Sequence, residues 1–272
     1  MKSVKRLFII TFLISIVCFS SLSFILGAMP YGATPSEVSE DSSSPDTAQT
    51  HGAWAGNVTE ITIVGFSTTT AWQGYYGNVS GTVQLADSDD NIMYNWTLAS
   101  PEGEVFAATN DSLSWLYVQC FNFSATGSKP AGDENATKGN TSQYGMNLSE
   151  IETFYNITTD DVDGINETFD LNGSLEGTNG THDLFYVNSL EFEDGECLST
   201  NVRRNNRSED NFFEEVLLYD PVTDTPIFVS LLEEVDTTGF DGKYHDFQMI
   251  VPENGKGTDL QITPYYFYVE LE

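Results

Sequence analysis

The amino-acid sequence predicts an all-β protein: an antiparallel β-sandwich, immunoglobulin-like or jelly-roll-like, with long polar loops and at most one short helix. Three observations predict it. Residues 71–98 alternate apolar and polar side chains on both sides of one polar turn, the period of a strand pair with one buried and one wet face. From residue 212 onward, β-branched and aromatic runs are separated by short segments rich in Gly, Pro and Asp, the even spacing of a sandwich. No internal repeat points instead to a solenoid or propeller.

Taken in order, the chain opens on Lys2, Lys5 and Arg6, followed by an uncharged apolar run over residues 7–28. That is the n-region and h-region of an export signal. Residues 1–28 therefore form either a cleaved signal peptide or a retained N-terminal membrane anchor: the apolar run is long enough to span a bilayer, and the surroundings of Ala28 and Ala33 make a poor small-x-small cleavage site. Val17 precedes Cys18 where a lipoprotein signal would carry a small residue, which argues against lipidation. Residues 29–52 contain TPSEVSEDSSSPDTAQ, which is acidic, rich in Ser, Pro and Thr, and without aromatics. Such a segment buries too little apolar surface to offset its ordering entropy, so it is expected to be a disordered linker. The folded part is expected over residues 53–272, as one sandwich or as two sheets dividing near residue 210.

Within it, the β-branched run VTEITIV (58–64) reads as a first strand ended by Gly65. The hairpin follows. Val79, Gly81, Val83 and Leu85 alternate with Ser80, Thr82 and Gln84; after a turn containing Asp87, Asp89 and Asp90, Ile92, Tyr94, Trp96 and Leu98 alternate with Met93, Asn95 and Thr97. Residues 104–108 and 113–123 read as two further strands, the second apolar on both faces and so expected in the middle of a sheet. Residues 125–143 form a long polar loop. Residues 148–155 read as the one short helix, with Asn147 or Ser149 available as its cap. A turn is expected at Asp163-Gly164 and strands at 184–192, 212–219, 226–232, 244–251 and 260–271.

The formal net charge is −31, and removing residues 1–28 leaves 7 basic residues against 41 acidic ones. Binding to phosphate backbones requires Lys and Arg to displace counterions, so this balance excludes nucleic acid and anionic membrane surfaces as partners. Membrane contact is expected only through the N-terminal segment. Cys120 and Cys197 are the pair left outside that segment, most simply a disulfide in an exported chain. Loop closure assigns such a bond roughly 4 kcal/mol. Three scattered histidines (His51, His182, His245) and two cysteines give no zinc-ligand spacing.

The densest functional signal is N-glycosylation. Acceptor sequons begin at Asn57, Asn78, Asn95, Asn110, Asn122, Asn135, Asn140, Asn147, Asn156, Asn166, Asn172, Asn179 and Asn206, where chance placement gives about four. An exported chain is where such sites are used. None lies beyond Asn206, so the strands of the last third are expected to present a sheet face left bare for packing or for a partner. No cofactor is expected except calcium: Asp161, Asp163 and Asp170 match part of a calcium-loop pattern, although the first ligand position is Thr159. Trp72, Tyr75 and Tyr76 flank Gly74 and Gly77 and are a candidate sugar-binding platform; the alternative is that they plug the open end of the sandwich. Tyr265, Tyr266 and Tyr268 carry the same two readings. No nucleophile elbow, His-Glu-x-x-His helix or phosphate loop is present, and no catalytic residue is assigned.

The segments at 72–96, 160–169, 212–220, 245–255 and 263–271 resemble a group of uncharacterised archaeal exported proteins similar to surface-layer or pilus-type β-sandwich glycoproteins. The resemblance implies an archaeal cell-envelope setting and carries no catalytic assignment. The expectation is a secreted or cell-surface structural or interaction protein, filament- or lattice-forming, whose partners are itself or other envelope proteins. A carbohydrate-binding or adhesion module is the alternative, and a secreted glycoside hydrolase ranks third.

Overall fold

The β-branched and aromatic runs of the last third build the centre of the molecule. In the computed structural model of the chain, the described residues are 29–44, 47–89, 91–97, 102–125, 145–159, 161–170, 182–209, 211–233, 235–255 and 262–271. The N-terminal segment 1–28, Asp90 and the sequons at Asn135, Asn140, Asn172 and Asn179 lie outside them. In chain order the strands are β1 (Tyr31–Gly32), β2 (Trp72–Gly77), β3 (Thr82–Ala86), β4 (Ile92–Thr97), β5 (Gly103–Ala108), β6 (Gln119–Cys120), β7 (Phe185–Val187) and β8 (Leu190–Phe192). They continue with β9 (Ser199–Asn201), β10 (Glu214–Asp220), β11 (Thr225–Leu231), β12 (Thr237–Thr238), β13 (Tyr244–His245), β14 (Phe247–Pro252) and β15 (Tyr266–Leu271). One α-helix, α1 (Leu148–Phe154), falls between β6 and β7.

An antiparallel seven-stranded sheet runs in the order β1, β15, β5, β11, β10, after which β6 and β9 lie end to end along the outer edge of β10. Cys120 in β6 and Cys197 just before β9 are joined in the structure with Cα atoms 5.0 Å apart, so the bond ties the two short strands that share that edge. Every residue of β10 is buried, and so are the first six of β11. This explains the unbroken apolar runs VLLY in β10 and PIFV in β11: strands covered on both faces have no wet side to alternate toward.

Two apolar cores lie on the two faces. Val105, Ala107, Leu217, Tyr219 and Phe228 point to one, which is closed by Ile151 of α1, by Tyr155 just after it and by Met249 and Val251 of β14. Phe106, Ala108, Val216, Leu218, Ile227 and Val229 point to the other, closed by Phe185 and Val187 of β7, Phe192 of β8 and Trp115. The covering layer on the first face is the two-stranded ribbon β2–β14, on the second the hairpin β7–β8. The result is an all-β, sandwich-like fold with one short helix, as the sequence predicts. Asn147 caps that helix reciprocally: its side chain accepts from Glu150 N at 3.0 Å while Glu150 Oε2 accepts from Asn147 N at 2.9 Å.

Four expectations are corrected. The 58–64 run forms no strand; it has no regular secondary structure and is open to solvent, with Val58 100% and Ile63 85% exposed. Residues 113–123 do not cross the sheet but make a 3-10 turn, Trp115–Tyr117, and a two-residue edge strand. Trp115 is buried because its ring wedges between Phe106 and Tyr268, with centroids 5.1 Å from each. The central strands of the last third, β10 and β11, are not a bare sheet face: they are enclosed on both sides, which is itself a reason for the lack of sequons on them. The hairpin at 82–97 forms as read, but it has no buried face.

Candidate interaction surface

The β3–β4 hairpin is built by its own sequence. Val83 pairs with Trp96 and Leu85 with Tyr94 on one face, Thr82 with Thr97 and Gln84 with Asn95 on the other, with a bulge between Leu85 and Ala86. Asp87 closes the turn: its Oδ1 accepts the N–H of Asp89 at 3.0 Å and of Asn91 at 2.9 Å, and both carboxylate oxygens accept from the Asn91 side chain. Those Asn91 and Asp89 donors hold the Asp87 carboxyl below the usual carboxylate range. The root is fixed to the body. Val79 N donates to Asp246 Oδ2 at 2.7 Å, Asp246 N donates to Gly77 O at 2.9 Å, and the Leu271 side chain packs so closely on Gly81 that no Cβ fits there unless it moves.

Beyond that root every residue of both strands is exposed. Val83 (48%), Leu85 (51%), Tyr94 (58%) and Trp96 (51%) stand open on one face, and none of them joins either core. A two-stranded ribbon alone is marginal in water, and a contiguous exposed apolar face signals a surface meant to be covered. The strands TVQLA and IMYNWT carry no charge in a chain of −31. Asn95 lies on the opposite, polar face, so a glycan there would leave the apolar face free.

Nine sequon asparagines are described, and none is buried: Asn57, Asn78, Asn95, Asn156 and Asn206 are exposed, and Asn110, Asn122, Asn147 and Asn166 are half-buried. Trp72, Tyr75 and Tyr76 do not form one platform. Alternation along β2 sends Tyr75 inward, edge-on to Phe267 at 5.2 Å, and Tyr76 outward. Trp72 sits at the strand's start, donating from Nε1 to Asp163 O at 2.7 Å beside Phe169. Tyr76 instead meets Phe240 at 4.9 Å and His245 at 4.8 Å, an outward aromatic cluster whose members are too far apart in the sequence for any local signal to join them. Tyr265 donates to Pro252 O, Tyr268 to Asn110 O, and Tyr266 is exposed.

Asp161, Asp163 and Asp170 are not gathered around a point. Asp161 Oδ2 accepts from Thr158 N, Asp163 Oδ2 from the Thr69 hydroxyl, and the Asp170 backbone bridges to Ser199. Among the described residues no three His, Cys, Asp or Glu side chains form a group able to hold a metal ion.

Several glutamates are buried and work as ties between layers. Glu215 Oε2 accepts from Ile250 N at 2.8 Å, joining the main sheet to β14; Glu214 Oε2 accepts from Asp183 N at 2.6 Å, and both Glu270 oxygens accept from Asn188 N at the β7–β8 turn. Burial pushes the Glu214 carboxyl up to about 7, raises Glu233, and raises Glu215 well above the carboxylate range. Glu104 stands directly opposite Glu270, but the two are only 4% and 1% exposed, so this pair of acids is closed to a polysaccharide substrate. A carboxylate pair for glycosidic cleavage has to flank the scissile bond from an open cleft. The basic residues Arg203, Arg204, Arg207 and Lys243 lie near one another, because Asn205 N donates to Gly239 O and brings the two turns together. Arg204 is paired with Glu209 at 3.4 Å and lies over the Phe212 ring, and Lys243 is paired with Asp241.

No family model, curated protein or solved structure matches the chain.

Proposed function

We propose that the protein is an exported, N-glycosylated, non-catalytic structural or interaction protein of an archaeal cell envelope that associates with its own kind into filaments or lattices. The observation that carries this reading is the uncharged, solvent-open apolar face of β3–β4, standing on a strongly acidic body. A monomer with no partner gains nothing from exposing Leu85, Tyr94 and Trp96; a subunit does. The absence of buried positions among the nine described sequon asparagines supports the glycoprotein part of the reading. The N-terminal segment would bring the chain through the membrane and either leave it or hold it there. Electron microscopy of the native protein tests the proposal: ordered assemblies are expected, and uniformly isolated particles at high concentration would overturn it.

A second reading, adhesion through glycans, is favoured by one observation: Tyr76 (43% exposed) and Phe240 (46%) lie around His245, whose Nε2 meets Asp241, itself paired with Lys243. Aromatic faces beside charged hydrogen-bonding groups suit sugar rings. Glycan-array binding lost on Tyr76→Ala with unchanged unfolding would favour it over self-assembly.

A further inference from the structure

The segment 58–66 and the hairpin β3–β4 share one unusual property: both are strand-forming, both are nearly uncharged, and in the isolated chain both are left uncovered. Val58 is 100% exposed, Ile61 55%, Ile63 85%, Val64 88% and Phe66 53%, and among the described residues this segment takes part in no strand pairing. Its alternation puts Thr59, Ile61 and Ile63 on one side and Val58, Glu60, Thr62 and Val64 on the other. The hairpin offers what such a segment lacks. Among the described residues each of its two strands is paired only with the other, which leaves both outer edges open to a further strand, and its apolar face carries Val83, Leu85, Tyr94 and Trp96.

We propose that segment 58–66 of one copy adds as a third strand to the β3–β4 hairpin of a second copy, with Ile61 and Ile63 extending the apolar face formed by Tyr94 and Trp96. The inference rests on the self-associating reading above and names the surfaces that would carry it. Three considerations select a second copy as the occupant. The single chain, with every opportunity to cover its own hairpin, leaves both elements open. Electrostatics selects the same pair: two bodies of −31 repel, and contact is least costly where neither surface carries charge, which is the case for both hairpin strands and, apart from Glu60, for the whole of 58–66. The register of sequons agrees as well. Asn95 is on the polar face of β4, and Asn57 precedes the added strand, so sugars at either site flank the joint without entering it.

Strand addition to an exposed edge draws affinity from main-chain hydrogen bonds and specificity from alternate side chains. In this case the alternate side chains are Ile61 and Ile63 on the donor, Tyr94 and Trp96 on the acceptor. The donor also has the reach it needs: residues 47–66 are exposed throughout, within a stretch held to the body at β1, where Ala33 N donates to Phe267 O, and again at Thr69, whose hydroxyl donates to Asp163. The head of one molecule therefore carries a strand on a tether, and the ribbon that accepts it is pinned at Gly81 and Val79. Because each copy has one donor and one acceptor at different places, the contact is head-to-tail, the type that propagates into a ring or an open filament.

The test uses the purified full chain in sedimentation-velocity runs over a concentration series, with Ile61→Gln/Ile63→Gln as the donor variant and Tyr94→Gln/Trp96→Gln as the acceptor variant. Both pairs are exposed, add no charge and leave the Asn57 and Asn95 sequons intact; thermal unfolding checks that each variant is folded. The proposal expects wild type to associate and each variant to weaken association at least tenfold. A mixture of Ile63→Cys and Trp96→Cys chains should give a disulfide-linked heterodimer. Wild-type association that both variants retain would overturn the strand addition and leave the self-assembly reading standing; a monomeric wild type at all concentrations would overturn both. A chain carrying both cysteines that closes on itself, with no linked dimer in the mixture, would also overturn it.

Discussion

Val83 faces Trp96 across the β3–β4 ribbon, and about half of each side chain, 48% and 51%, stays open to solvent. Packed apolar pairs elsewhere in the molecule are sealed: Phe228 pairs across strands with Leu217, and both are fully buried. The contrast yields a stability prediction. Trp96→Gln should change the unfolding free energy of the dilute monomer by no more than about 0.5 kcal/mol, as surface substitutions do. Phe228→Ala should cost about 3 to 5 kcal/mol. Denaturant unfolding of the two variants compares them directly, and a large loss at Trp96 would mean the hairpin is part of the core after all.

Gly103 begins β5 at φ +123°, and an added Cβ would overlap the carbonyl oxygen of Glu270 and sit 3.0 Å from its carbon. Both neighbours are backbone, which cannot step aside without breaking the β5–β15 register. Gly103→Ala is expected to cost about 3 kcal/mol or more, from strain and overlap together. Gly32→Ala, with nothing within 4 Å, is the control and should be nearly neutral. Equal melting temperatures for the two variants would contradict this account of the sheet edge.

The bond between Cys120 and Cys197 links β6 to the start of β9, and both sulfurs belong to residues no more than 1% exposed. Reductant should therefore leave this pair unreactive toward thiol reagents until the chain unfolds. Cys120→Ala/Cys197→Ala should lower stability by roughly 3 to 4 kcal/mol if loop closure dominates. Fast thiol labelling of the folded protein under reductant would place the pair nearer the surface than the structure does.

Buried carboxyls set a direction for pH. Glu214, raised to about 7 by burial, along with Glu215 and Glu233, also raised by burial, bind protons more tightly folded than unfolded. Stability from each group is full below the unfolded carboxylate range near 4.5 and is lost as pH climbs through its raised folded value; for Glu214 that is about 7, and the loss is on the order of 3 kcal/mol. His182, lowered by burial, acts the opposite way, losing stability as pH falls below its ordinary value. Urea midpoints at pH 5 and pH 8 should differ in favour of pH 5, and Glu214→Gln should shrink that difference. A midpoint that rises with pH in wild type would contradict the assignment.

Local pattern made much of this fold legible. Asn147, one of two cap candidates beside Ser149, is the cap of the helix read at 148–155, and the runs at 212–219 and 226–232 fall on β10 and β11 within two residues. Period two also grouped Val83 and Leu85, and Tyr94 and Trp96, on one face of the hairpin correctly, but alternation states which residues share a face and says nothing of what lies against it. The exposure of Trp96 was therefore out of reach. For the same reason VTEITIV, strand-like by composition, has no strand: propensity supplies no partner. Trp72–Gly77 was missed because two glycines and three aromatics hide a strand whose stability comes from pairing with distant Phe247–Pro252. The cluster of Tyr76, Phe240 and His245 depends on that same long-range pairing.

Hydrogen–deuterium exchange in dilute and in concentrated solution tests the central claim most directly. If copies join through the bare hairpin, amides at 58–66 and 82–97 should slow with concentration while those of β10 and β11 stay unchanged. Protection that appears elsewhere, or none at all while the protein assembles, would contradict the claim.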